Sequence, residues 1–78
     1  MTIDDPRRDE WQEALRAHER EIDRLRVELV LLEREQHECG DPDLVRDFVR
    51  LEIELATAQI TRHRIGAALM AARLRSLA

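Results

Sequence analysis

Apolar side chains recur along both halves of this chain in alternating steps of four and three residues. In the first half the repeat consists of Trp11, Leu15, His18, Ile22, Leu25, Leu29, Leu32, Gln36 and Cys39. In the second half it consists of Val49, Ile53, Ala56, Ile60, His63, Ala67, Met70, Leu74 and Leu77. This spacing is typical of the buried seam of a left-handed coiled coil, so the pattern predicts two long helices.

Residues that favour helix ends lie before and between the two repeats. Asp5 can accept hydrogen bonds from free backbone N–H groups at a helix start, and Pro6 is tolerated in the first turn. Near the middle of the chain, Gly40 favours the end of one helix, and Asp41 followed by Pro42 favours the start of the next. The sequence therefore predicts two helices separated by one tight turn.

These signals set the predicted boundaries. The first helix is expected over about residues 6–39, the turn at 40–41 and the second helix over about 42–76, all within a single domain of residues 1–78. A connection this short requires adjacent, antiparallel helices. The predicted fold class is all-α, a long antiparallel helical hairpin of the coiled-coil type.

Folding the chain at the turn brings the two repeats into register. The predicted facing layers are Leu32/Val49, Leu29/Ile53, Leu25/Ala56, Ile22/Ile60, His18/His63, Leu15/Ala67 and Trp11/Met70. Several of these layers place a large side chain against a small one. Close packing of two helices requires complementarity of this kind, so the register supports the hairpin.

A second set of apolar residues lies off this seam, and an isolated hairpin would leave it in water. Burying one Leu or Phe side chain contributes about 1.5–3 kcal/mol, and a contiguous exposed patch usually marks an interface. We expect these residues to form one such patch. The sequence predicts a homodimer that forms a four-helix bundle, with a heterologous helical protein as the alternative partner. The interface residues are Val27, Val30 and Leu31 in the first helix and Leu44, Phe48, Leu51, Leu55, Ile65 and Leu69 in the second.

Charge and composition narrow the range of partners. The net charge of −4 does not favour nucleic-acid binding. Arg62, Arg64, Arg73 and Arg75 make the C-terminal third basic, and we expect acidic residues of the first helix to neutralise it. The longest uncharged run, residues 65–72, is too short to span a bilayer, and the N-terminus lacks the apolar run of a signal peptide. We expect a cytoplasmic protein without nucleic-acid or membrane partners.

Candidate chemistry centres on two histidines. The register places His18 opposite His63, and imidazole is a common ligand of zinc, copper and nickel. A metal-binding four-helix bundle built on this layer is one alternative, and a polar layer that sets the helix register is the other. Cys39 has only His37 as a nearby base in the sequence, and no catalytic or cofactor motif is present. We expect no enzyme activity, no catalytic residue and no cofactor.

Gly66 lies inside the Ala-rich end of the second helix. A glycine within a helix costs about 1 kcal/mol relative to alanine. Its presence favours close approach by another helix, and a tolerated glycine without a packing role is the alternative.

The turn and the second helix contain Gly40, Asp41 and Leu44, then the run Phe48-Val49-Arg50-Leu51-Glu52, then Ala56 and Ala58. In these residues the chain resembles the small co-chaperones of type III secretion needle subunits, which are helical hairpins of this size. Such proteins hold an aggregation-prone needle subunit together with a second chaperone. The resemblance implies a co-chaperone of a secretion-system subunit, with Leu44, Phe48, Leu51 and Leu55 as the binding surface.

Overall fold

The computed structural model of this chain describes the backbone of residues 5–38 and 43–77, and the side chains of residues 5–38 and 46–77. It contains helix α1, Pro6–Glu38, and helix α2, Asp43–Ser76. The two helices lie side by side in a rod 65 Å long and 14 by 13 Å across. The predicted all-α hairpin is confirmed. The predicted turn at Gly40 and Asp41 lies outside the described residues, as do Pro42 and Cys39.

Asp5 caps the start of α1, as its position before Pro6 predicts. One carboxylate oxygen of Asp5 accepts a hydrogen bond of 2.9 Å from the backbone N–H of Arg7, and its carbonyl accepts one from Arg8. The Arg7 guanidinium also donates to the same carboxylate at 3.0 Å. The hydrogen bonds from Arg7 hold the pKa of Asp5 below its ordinary value. The cap satisfies backbone donors that have no partner inside the helix.

Two contiguous clusters of buried residues form the core between the helices. The first contains Ile22, Leu25 and Ile60. The second contains Leu32, Val49 and Ala56, and Leu29 packs against both clusters. Leu25 and Val49 are almost fully buried, at 1% and 2% exposure. Because Ile22 shares a cluster with Ile60 and Leu32 shares one with Val49, the predicted register is confirmed along this part of the seam.

Trp11 closes the end of the rod that lies far from the turn. Its ring is half-buried, and two guanidinium groups lie over it. The Arg7 group is 5.8 Å from the ring centroid, and the Arg73 group, which α2 supplies, is 5.7 Å from it. Each such contact contributes about 0.5–1 kcal/mol at an exposed site. Trp11 thus ties the beginning of α1 to the end of α2.

Surface ion pairs in the described residues remain on one helix or at its cap. Arg24 pairs with both Glu21 and Glu28, and Arg20 pairs with Glu13. None of the ion pairs within residues 5–38 and 46–77 joins α1 to α2, so the expected neutralisation of the basic end of α2 by α1 does not take the form of direct ion pairs. Each acidic side chain of α1 that forms an ion pair can reach an arginine on its own helix. Such a pair forms without any change in the packing of the two helices.

The rod exposes more surface than a globular protein of the same mass. Its accessible area is 6265 Å², whereas a globular monomer of 9.2 kDa exposes about 4,900 Å². The excess is therefore about 1,300 Å². It arises because each helix has only one neighbour, so only one of its faces is covered.

We expect Leu25→Ala to lower the free energy of unfolding by roughly 2–5 kcal/mol, because it removes a buried side chain that packs with Ile22 and Ile60 and leaves a cavity. Urea denaturation followed by helical circular dichroism measures this change. Leu31→Ala is the matched control, because Leu31 is on the same helix and is 55% exposed; it should change the free energy by less than about 0.5 kcal/mol. Equal effects of the two substitutions would contradict the assigned core.

Candidate functional site

A row of exposed apolar residues runs along α2. Phe48, Leu51, Leu55, Ile65 and Leu69 are exposed by 48–66%. Together with Ala58 and Ala72 they repeat in steps of four and three, and Arg62 interrupts the row once. We call this row the α2 outer stripe. Its spacing is the same as that of the seam, so α2 carries two coiled-coil-type faces and the hairpin covers only one of them.

The α2 outer stripe points away from α1. A helix turns about 100° per residue. Leu51, two residues after the buried Val49, therefore lies about 160° around the helix from it. Ile65, five residues after the buried Ile60, lies about 140° from it. The stripe is thus on the outer edge of the hairpin, where α1 cannot reach it.

Val27, Val30 and Leu31 form a separate surface, the α1 patch. They are 55–62% exposed, and with Arg26 they line a shallow apolar depression. Val27 lies five residues after the buried Ile22, and hence about 140° around α1 from the seam. The α1 patch therefore faces away from α2.

The expectation of one contiguous interface patch was wrong. Each apolar surface lies opposite the seam of its own helix, and the seams face each other. The α2 outer stripe and the α1 patch consequently lie on opposite edges of the rod. The side chain of Leu44, the remaining predicted interface residue, lies outside those that the structure describes. The predicted interface residues thus belong to two surfaces that a single helix cannot cover together.

The register brings His18 and His63 into direct contact, as predicted. Their Nδ1 atoms are 3.0 Å apart, and their ring centroids are 5.3 Å apart with an angle of 53° between the ring planes. A hydrogen bond at this distance requires one Nδ1 to carry hydrogen and the other to accept it. Both rings are half-buried. The layer is therefore a pair of polar side chains, joined through their Nδ1 atoms, inside a mainly apolar seam.

Gly66 provides the space for the His18 ring. A Cβ atom built at Gly66 would lie 2.6 Å from His18 Nε2 and 2.7 Å from His18 Cε1. Side-chain carbons do not approach ring atoms this closely, so any other residue at this position would displace the imidazole. The glycine was expected to allow close approach by the backbone of another helix, whereas the nearest atoms of α1 belong to the His18 side chain.

The surroundings of the histidine pair do not favour a cation. A cleft beside the rings is also lined by Glu21, Arg24 and Arg62. Glu21 accepts hydrogen bonds from Arg24, which lower its pKa. Two guanidinium groups beside the pair would repel a metal ion. Within residues 5–38 and 46–77, no group of three or more His, Cys, Asp or Glu side chains is placed to hold one. The metal-binding alternative stays a prediction.

Sequence reasoning did not identify the residues beside the histidine pair. Glu21 and Gln59, which line its cleft, flank the seam one position before Ile22 and Ile60. The same repeat that places the histidines opposite each other also places these flanking positions at the mouth of that layer. The heptad register therefore already indicated that Glu21 and Gln59 lie beside the histidine pair.

Comparisons with protein-family models, with curated proteins and with solved structures find no match to this chain. Over the described residues, neither helix has a segment apolar and long enough to cross a bilayer. The function is therefore inferred from the residues of this chain and their arrangement.

We expect the effect of Gly66→Ala to reverse sign when His18 is removed. In the natural chain the clash costs roughly 1–3 kcal/mol, and the higher helix propensity of alanine offsets about 1 kcal/mol of it. In a His18→Ala background the clash is absent, so the same substitution should stabilise the hairpin by about 1 kcal/mol. Urea denaturation of the four proteins in this double-mutant cycle measures the coupling. The same effect in both backgrounds would show that the ring does not occupy this space.

The carboxyls of Asp5 and Glu21 have lowered pKa values because each accepts hydrogen bonds from an arginine. The stability that they contribute is present above about pH 4 and is lost as the pH falls through the lowered pKa values. Urea denaturation at a series of pH values measures this loss.

Proposed function

We propose that this chain is a non-catalytic assembly module, a helical hairpin that associates with another helix through the α2 outer stripe. The observation that carries the proposal is the exposure of Phe48, Leu51, Leu55, Ile65 and Leu69 on one face of α2, opposite the seam. The ionisable side chains at the histidine layer are hydrogen-bonded to each other: His18 bonds to His63, and Glu21 bonds to Arg24. Binding is therefore the role that the surface supports best.

The leading form of this function is self-association. Covering five such side chains on each of two copies contributes on the order of 10 kcal/mol, because each is already partly covered in the hairpin. The loss of translational and rotational freedom on association costs an estimated 4–15 kcal/mol. The two quantities are similar in size. We therefore expect weak association that depends on protein concentration rather than a permanent complex.

Docking of a different helical protein is the second candidate. Phe48, Leu51 and Leu55 are exposed, and they belong to the surface that the resemblance to needle-subunit co-chaperones implies for partner binding. An amphipathic helix laid along this row would bury its own apolar face against it. This form of the function predicts a hairpin that is monomeric alone and gains stability from its partner.

Thermal unfolding at two protein concentrations distinguishes these forms. If native copies associate, raising the concentration from about 2 µM to about 200 µM should raise Tm by roughly 5–10 °C, since mass action favours the associated state. Sedimentation equilibrium over the same range gives the mass of the species. A monomeric mass with an unchanged Tm would contradict self-association and favour a different partner. If the chain is monomeric and an apolar fluorescent dye does not bind to it, the α2 outer stripe is not available for docking, which would contradict the assembly function itself.

A further inference from the structure

We propose that the occupant of the α2 outer stripe is α2 of a second copy of this chain, packed antiparallel about a two-fold axis between Ala58 and Arg62. This rests on the proposed assembly function and specifies its partner and geometry. It places the two hairpins in a row, in the order α1, α2, α2 and α1. The hairpins would then meet along one continuous helix pair rather than as a square bundle.

The side chains of the stripe are arranged almost symmetrically about this axis. Leu55, Leu51 and Phe48 follow in one direction from the centre, and Ile65, Leu69 and Ala72 follow in the other. An antiparallel second copy therefore sets large apolar residues of one half against large apolar residues of the other half. The described part of the stripe, residues 48–72, is about 37 Å long and spans roughly three and a half heptads, enough for coiled-coil pairing.

The centre of the stripe can be covered without stranding a polar group. Ala58 is small and lets two helices approach closely. The Thr61 hydroxyl beside it donates a hydrogen bond of 3.1 Å to the carbonyl of Thr57, so it needs no water. Arg62 can lay its aliphatic portion along the second helix and extend its guanidinium outward into solvent.

The charges beside the stripe select the antiparallel direction. Asp47, Glu52 and Glu54 flank its first half, whereas Arg73 and Arg75 flank its second half. No ion pair within the described residues connects these side chains to α1. Antiparallel pairing places the acidic half of each copy beside the basic half of the other. Parallel pairing would place like charges together, which destabilises helix pairs.

The available area matches that of a small dimer. The hairpin exposes about 1,300 Å² more than a globular protein of its mass, and a standard interface removes about 800 Å² from each partner. The α1 patch lies on the opposite edge and takes no part. The two His18/His63 layers, one in each copy, also stay apart, since each lies on the inner seam of its own hairpin.

A matched pair of charge substitutions locates the interface. Leu55 is 59% exposed on the α2 outer stripe, and Leu31 is 55% exposed on the α1 patch. We expect Leu55→Glu to weaken dimerisation at least about 100-fold and Leu31→Glu to change it less than about threefold, because a charge is tolerated only outside a buried apolar seam. Sedimentation equilibrium gives the dimer Kd, and circular dichroism confirms that both variants remain helical.

Cross-linking then establishes the direction of pairing. In a Cys39→Ser background, Ala58→Cys places one thiol near the axis, and Ala72→Cys places one near the end of the stripe. A short bismaleimide should link two copies of the first variant. It should not link the second, whose thiols would be roughly 36 Å apart along the helices. Linking of both variants would indicate parallel pairing and overturn the proposal.

The remaining outcomes separate the two levels of the hypothesis. If Leu31→Glu dissociates the dimer and Leu55→Glu does not, self-association is correct but this interface is wrong. If the natural chain is a dimer and the Ala58→Cys variant does not cross-link, the proposed axis is wrong. If the natural chain is a monomer at about 200 µM, the second copy is excluded as the occupant, and only a different helical partner remains for the assembly function.

Discussion

Two helices can cover only one face of each other, and the rest of this structure depends on that constraint. The seam from Trp11 to Leu32 on α1, and its counterpart on α2, bury enough apolar surface to hold the hairpin together. The large apolar side chains off this seam in the described part of the chain are then left exposed, because two helices offer no third element to cover them. The exposure of the Leu and Ile side chains on the outer edge of α2 is therefore a direct result of the two-helix architecture. This exposure is the reason for proposing assembly rather than catalysis.

The seam itself is not uniform along its length. Near the turn it is apolar and tightly packed around Leu25, Leu29 and Val49. Farther along it becomes polar at the histidine layer, and its far end is closed by Trp11 between two arginines. Hydrophobic burial thus dominates the half nearer the turn, whereas in the other half local, directional contacts add to the burial of Met70.

Periodicity predicted the fold because the four-three repeat on each helix leaves few ways to pair them. The helix bounds, the Asp5 cap and the His18/His63 contact all follow from counting along the chain. The relation between the two exposed surfaces did not follow, because residues at the same level along the rod can lie on opposite sides of it. Leu31 and Leu51 are close in axial level, but each lies on the outer side of its own helix. The ion pair of Arg24 with Glu28 follows from their i, i+4 spacing, and Arg24 also reaches Glu21 at i, i−3.

The contact between the His18 ring and Gly66 has a consequence for the relative sliding of the helices. A seven-residue slip of α1 along α2 would keep most apolar residues on the seam, so hydrophobic burial alone would hardly resist it. The slip would place the imidazole over Gln59 or Arg73, where a side chain fills the space that the ring needs. Gly66 is the one glycine in the described part of α2, so the ring fits at only one level. A single missing methyl group thus makes the axial alignment of two helices, each about 50 Å long, unique.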